Sequence, residues 1–108
     1  MAFLKFFYPR TNQVAPRRRV KETFIEGVAR KAAEGDLDAR CYLGTCYRDG
    51  TEGLPKDEVA AAEWFYLAAD YGHGGAQRNL GNCYRDGVGV KKNMEAARYW
   101  WSCAASKH

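Results

Sequence analysis

The sequence is poor in residues that do chemistry. It holds two histidines, His73 and His108, and neither has a nearby serine or cysteine arrangement that reads as a catalytic triad. His73 stands in a Gly72-His73-Gly74-Gly75 turn and reads as a loop residue. There is no phosphate loop, because Gly87-Val88-Gly89 has neither the length nor the Lys-Ser/Thr of a Walker motif. The four cysteines, Cys41, Cys46, Cys83 and Cys103, include no Cys-x-x-Cys and no Cys-x-x-His, so metal-ligand spacing is missing. They read as buried free thiols, with Cys83–Cys103 the link to expect if the protein is secreted. Asp57-Glu58 is better explained as a helix cap in the favourable field of an N-terminus than as a catalytic carboxylate pair. No catalytic residue, metal or cofactor is expected, and the chain does not read as an enzyme.

Long apolar runs are also missing. No stretch approaches the roughly 18 apolar residues of a membrane span. The start, Met1-Ala2-Phe3-Leu4-Lys5-Phe6-Phe7, is broken by Lys5 and too short for a signal-peptide core. Ala2 stands where myristoylation requires glycine. A cytoplasmic location is therefore expected. Acidic residues are absent from residues 1–21, which carry Lys5, Arg10, Arg17, Arg18, Arg19 and Lys21. The rest of the chain holds the other 11 of the 17 basic residues against all 13 acids, a balance of −2. Residues 1–20 thus read as a basic, partly disordered arm. Its Arg17-Arg18-Arg19 run can contact nucleic acid or anionic membrane through counterion release. Lack of serine, with Pro9 and Pro16, speaks against an organelle transit peptide.

What the chain does have is a repeat. Cys-Tyr-Arg-Asp-Gly at Cys46–Gly50 recurs letter for letter at Cys83–Gly87, a spacing of 37. Ala39, Leu43 and Gly44 fall on Ala76, Leu80 and Gly81 at the same spacing. Beyond the repeated glycine the spacing is 36, and Lys56, Asp57, Ala60, Ala61, Trp64, Ala68 and Ala69 fall on Lys92, Asn93, Ala96, Ala97, Trp100, Ala104 and Ala105. Self-similarity at this period means stacked supersecondary units.

The periodicity inside each unit is helical. Phe24, Ile25, Val28, Ala29 and Ala32 form an amphipathic stripe from about Lys21 to a C-cap at Gly35. Asp36 caps a helix over about 37–49, and Asp57 caps one over about 58–71, with Ala60, Ala61, Trp64, Phe65, Ala68 and Ala69 on its packing face. The next unit has a helix at about 76–86 and another, capped by Asn93, at about 94–106. Gly44 and Gly81 each cost about 1 kcal/mol inside a helix. A cost carried twice implies a shared benefit, the close approach of a partner helix. Tyr99, Trp100 and Trp101 are consecutive, so one of them at least must be partly exposed.

These residues resemble a family. Ala39, Leu43, Gly44, Tyr47, Gly50, Asp57, Ala60, Trp64 and Ala68 match the Sel-one-like repeat, a branch of the tetratricopeptide-like helical repeats. Ala76, Leu80, Gly81, Tyr84, Gly87, Gly89, Val90, Asn93, Ala96, Trp100 and Ala104 match it again. The resemblance implies an all-α fold, a right-handed α-solenoid of antiparallel helix pairs with about five helices. Residues 21–35 would be a capping helix, 36–72 a first full repeat and 73–108 a second.

The resemblance also implies a scaffold or adaptor that binds a protein or peptide on a concave face lined by the first helix of each pair. The residues there would be Cys41, Thr45 and Arg48 from one copy, and Arg78, Asn82 and Arg85 from the other. Arg78 with Asn82, four apart on one helical face, would suit a carboxylate. Arg48 and Arg85 also suit a structural role near a helix end. Self-association through the C-terminal aromatic helix is a second expectation. Some cysteine-rich bacterial members of the family have been linked to β-lactam hydrolysis, but Ala69 and Ala105 stand here where such a cysteine is expected.

Overall fold

The computed structural model describes residues 21–106. The basic arm and its Arg17-Arg18-Arg19 run lie outside the described residues. Five α-helices follow in order: α1 (Phe24–Ala33), α2 (Leu37–Asp49), α3 (Glu58–Ala69), α4 (Gly74–Asp86) and α5 (Met94–Ala105). Each packs chiefly on its neighbours in sequence, α2 on α3 and α4 on α5 most extensively. This is an all-α solenoid of antiparallel pairs, α2 with α3 and α4 with α5, and α1 packs against α2.

The ends are set by local chemistry. α1 starts at Phe24, later than the apolar stripe alone suggests, because Thr23 and Glu26 form a reciprocal capping box. Asp36, Asp57 and Asn93 cap α2, α3 and α5 through their side-chain oxygens. α2 and α4 both end on a left-handed glycine, Gly50 and Gly87. The loop after each is tied back identically: the Asp57 and Asn93 N–H groups donate to the Tyr47 and Tyr84 carbonyls, both at 2.8 Å.

The start of α4 also differs from the sequence reading. The helix begins at Gly74, two residues before Ala76, because His73 is its N-cap. The Ala76 N–H donates to His73 Nδ1 at 3.0 Å. That nitrogen must offer a lone pair, so the ring proton sits on Nε2, which lies 2.7 Å from Asp38 Oδ1 on α2. His73 thus joins the two first helices besides starting one of them. His73→Ala is expected to lower stability by about 0.5–2 kcal/mol, the range for losing an N-cap. His73→Asn, which restores a capping oxygen, should recover most of that loss. Urea unfolding of both variants checks it, and equal losses for the two would rule out capping as the cause.

The core explains the repeated glycines. A Cβ on Gly44 would lie 2.5 Å from the Phe65 ring, and one on Gly81 2.5 Å from Trp101 Nε1. Both are closer than side chains approach, so these helix pairs pack through bare backbone. The large side chain on each glycine is Phe65 or Trp101, one residue after the repeated Trp64 and Trp100. Trp64 and Trp100 are instead half-buried and reach back to the preceding unit. Trp64 packs on the cluster of Ala32, Ala39 and Leu43, and Trp100 on the cluster of Ala61, Phe65, Ala68, Ala76 and Leu80. Phe65 is wholly buried because α4 closes over it. Its counterpart Trp101 is only half-buried. Ala104 is buried, whereas Tyr99 is 59% exposed, as three successive aromatics require.

The second-helix ends are buttressed from the next unit. Arg40 Nε donates to the Ala32 carbonyl at 3.0 Å, and Gln77 Nε2, 37 residues on, donates to the Ala69 carbonyl at 3.1 Å. Arg40 also reaches the Leu67 carbonyl with Nη1, at 3.2 Å, tying the C-terminal ends of α1 and α3 to one edge of the stack.

Candidate binding face

The first helices, α2 and α4, lie side by side. Besides the His73–Asp38 bridge, Asn79 Nδ2 reaches Cys41 Sγ at 3.7 Å. Toward their C-terminal ends a cleft of about 210 Å³ opens, lined by Arg48, Asn79, Asn82, Cys83, Arg85 and Asp86, with Val88 at its edge.

Three of the six residues expected on this face, Arg48, Asn82 and Arg85, therefore share one cleft. The other three are placed differently. Cys41 is half-buried beneath Asn79. The Thr45 hydroxyl donates back to the Tyr42 carbonyl at 2.7 Å, so its proton is spent within α2. Arg78 is exposed and does not line the cleft. Asn82 does not act with Arg78 alone, because its Oδ1 accepts the Trp101 indole N–H at 3.1 Å, leaving the amide NH₂ free to turn outward. Asn79 was missed in the sequence. It stands one residue past Arg78 and has no counterpart in the first copy, where Tyr42 holds the equivalent place.

The two arginines are each paired and stacked. Arg48 Nε and Nη2 donate to the two Asp49 oxygens at 3.0 and 3.1 Å. Arg85 does the same to Asp86 at 2.8 and 2.9 Å. Each guanidinium also lies over the aromatic ring that fills its glycine notch, Arg48 over Phe65 and Arg85 over Trp101, both 5.8 Å from the centroid. The hydrogen bond from each arginine holds the Asp49 and Asp86 carboxyls below their ordinary range. Arg48 and Arg85 thus each pair with the adjacent aspartate near a helix end. This geometry leaves one face of each fork, Nη1, unused by these pairs. Since each arginine is matched by its own aspartate, the cleft offers directed N–H donors more than net positive charge.

Nucleophilic chemistry is not favoured here. Burial pushes the Cys83 thiol up to about 11, and burial likewise raises that of Cys41. Both stay protonated at neutral pH, where a thiol attacks poorly. All four cysteines carry free thiols. Among the described residues no group of three or more His, Cys, Asp or Glu is placed to hold a metal ion. No helix among them is long and apolar enough to cross a membrane.

A family profile described as Sel1 repeat matches residues 37–73 and 74–108. No curated protein sequence matches the chain. Among solved structures, a Sel1 repeat protein from Oxalobacter formigenes superposes with a TM-score of 0.76 at 30% identity, covering 78% of this chain and 63% of that one. A protective antigen of uropathogenic Escherichia coli strains, c5321, described as displaying an SLR fold, superposes with a TM-score of 0.73 at 29% identity. That match covers 96% of this chain but 21% of the antigen. The chain thus spans less than two thirds of the length of either structure.

Proposed function

The chain belongs to the Sel1 repeat family, whose members are generally protein-interaction scaffolds, and from that premise we propose an adaptor that binds a peptide across α2 and α4. The observation that carries this reading is the cleft itself. It brings the free edges of Arg48 and Arg85 and the amides of Asn79 and Asn82 to one place, from both repeats. With the Asp86 carboxylate already engaged by Arg85, the free N–H edges suit a ligand rich in acceptors: main-chain carbonyls of an extended peptide and a carboxylate at its end. Arg78, on the same helix but outside the cleft, would meet flanking residues of the ligand. Arg78 and Asn82, which stand where the first copy has Cys41 and Thr45, then set which peptide is taken.

The test is fluorescence anisotropy with a panel of labelled peptides ending in a free carboxylate, each paired with its C-terminal amide. Free-carboxylate peptides should bind more tightly, and Arg48→Ala combined with Arg85→Ala should abolish the difference. A panel that shows no binding, or binding indifferent to both changes, would sink the proposal.

A second reading is favoured by one observation. Phe65 is wholly buried under α4, whereas Trp101 is half-buried and Tyr99 is 59% exposed. A second copy docking on α5 would cover them. Sedimentation at rising concentration decides, since a monomeric mass throughout would remove this reading.

A further inference from the structure

A second groove lies away from the cleft, along α3. It measures about 500 Å³ and is walled by Val59, Glu63, Tyr66 and Leu67, with Leu80 and Tyr84 of α4 as its floor. The Gly89-Val90 loop closes one end. Its wall leaves large apolar side chains uncovered: Val59 is 57% exposed, Tyr66 47% and Leu67 39%. The fold does not demand this. At a spacing of 36, Val59, Glu63, Tyr66 and Leu67 correspond to Thr23, Gly27, Arg30 and Lys31 in and before α1, and to Glu95, Tyr99, Ser102 and Cys103 in α5. The other second helices are mostly polar or small where α3 is apolar.

We infer that residues 3–8 of this same chain, Phe3-Leu4-Lys5-Phe6-Phe7-Tyr8, dock into this groove with Lys5 against Glu63. The chemistry is complementary. Among the described residues, Glu63 is the one charged side chain lining the groove. Lys5 is the one charged side chain in the segment, set among five large apolar or aromatic neighbours. The tether also fits. Arg40 holds the C-terminal ends of α1 and α3 at one edge, and second helices of a stack run parallel, so their N-terminal ends share the opposite edge. The chain therefore enters α1 at the same edge as the first turn of α3, where Val59 borders the groove. Residues 9–21 can span roughly 40 Å when extended, at about 3.3 Å per residue. Neighbouring helix axes are only about 10 Å apart. A tether of that kind gives an effective concentration on the order of millimolar, enough to hold a weakly binding segment. A second depression, which shares Val59 and Gly89 with the groove, is lined by Lys56, Asp57 and Glu58, an acidic excess that complements the basic residues following the segment.

The test is carbodiimide coupling of the full chain at low micromolar concentration, followed by separation of monomer from dimer and peptide mapping. A Lys5–Glu63 amide in the monomer fraction is the expected product. Its yield should fall to background in Phe6→Ser combined with Phe7→Ser, changes that touch none of the described residues. Lys56 and Glu58, 3.8 Å apart, serve as the internal control for coupling. Lys56–Glu58 coupling without Lys5–Glu63 coupling overturns the proposal. So does a Lys5–Glu63 product confined to the dimer, which would assign the groove to a second copy. An unchanged yield in the double serine variant also overturns it, because contact would then rest on charge alone and the groove would stay empty.

Discussion

Phe65→Ala is expected to remove about 3–5 kcal/mol of stability, the range for truncating a wholly buried phenylalanine. With a domain of this size that is a fall in melting temperature of roughly 15–25 °C. The ring has no exposed surface, and it stands where three elements meet. It fills the notch at Gly44 on α2, packs on Ala76 and Leu80 of α4, and lies under the Arg48 guanidinium. Removing it opens a cavity between the two repeats as well as within one. Trp101 holds the same place in the second copy, in the notch at Gly81, but no helix among the described residues closes over it. Trp101→Ala should therefore cost less than Phe65→Ala, although the larger side chain is lost. Urea unfolding followed by circular dichroism measures both. The reverse order would mean that stacking of one repeat on the next is not what buries Phe65.

That contrast marks what could be read from the sequence. The repeat spacing, the glycine at each helix crossing and the capping residues Asp36, Asp57 and Asn93 are local signals, and the structure places each as read. The wholly buried ring was harder to find. Trp64 and Trp100 stand out because they are identical in the two copies, while Phe65 and Trp101 differ. The notch at the glycine accepts either ring, so identity was a poor guide to burial. His73 was read as a loop residue because imidazole is an unusual N-cap and two glycines follow it. Its partner Asp38 is 35 residues away, and no local pattern announces a pair of that kind. The candidate cleft was legible in part. Counting from Gly44 and Gly81 finds Arg48, Asn82 and Arg85. It does not reveal that Trp101 occupies the Asn82 carbonyl, nor that Asn79 turns toward α2. The apolar groove on α3 escaped because Val59, Tyr66 and Leu67 look like ordinary helix residues until their exposure is known.

Gly89→Ala is expected to cost about 3 kcal/mol or more, and Gly53→Ala at the matching position about 1–2 kcal/mol. Both glycines lie in the left-handed region, with φ of 74° and 80°, where any side chain costs roughly 1–2 kcal/mol. That penalty is common to the two variants, so their difference isolates the surroundings. A Cβ on Gly53 meets nothing within 4 Å. On Gly89 it would run into the Glu58 carbonyl group, 2.6 Å from its carbon and closer still to its oxygen, and would lie 3.1 Å from Ala62 Cβ. Glu58 is backbone in the first turn of α3 and cannot swing aside as a side chain can, so overpacking adds on the order of 1–3 kcal/mol. The clash falls between repeats: the loop of the second unit is seated on the second helix of the first. Relief would require the loop to lift from α3, which would loosen the end of the groove formed by Gly89 and Val90. Gly89→Ala should therefore also speed hydrogen exchange in the first turn of α3, as Gly53→Ala should not. Equal losses in the two variants would show that this loop moves freely, and that the spacing between the repeats is set instead by Phe65 and the Gln77–Ala69 bond.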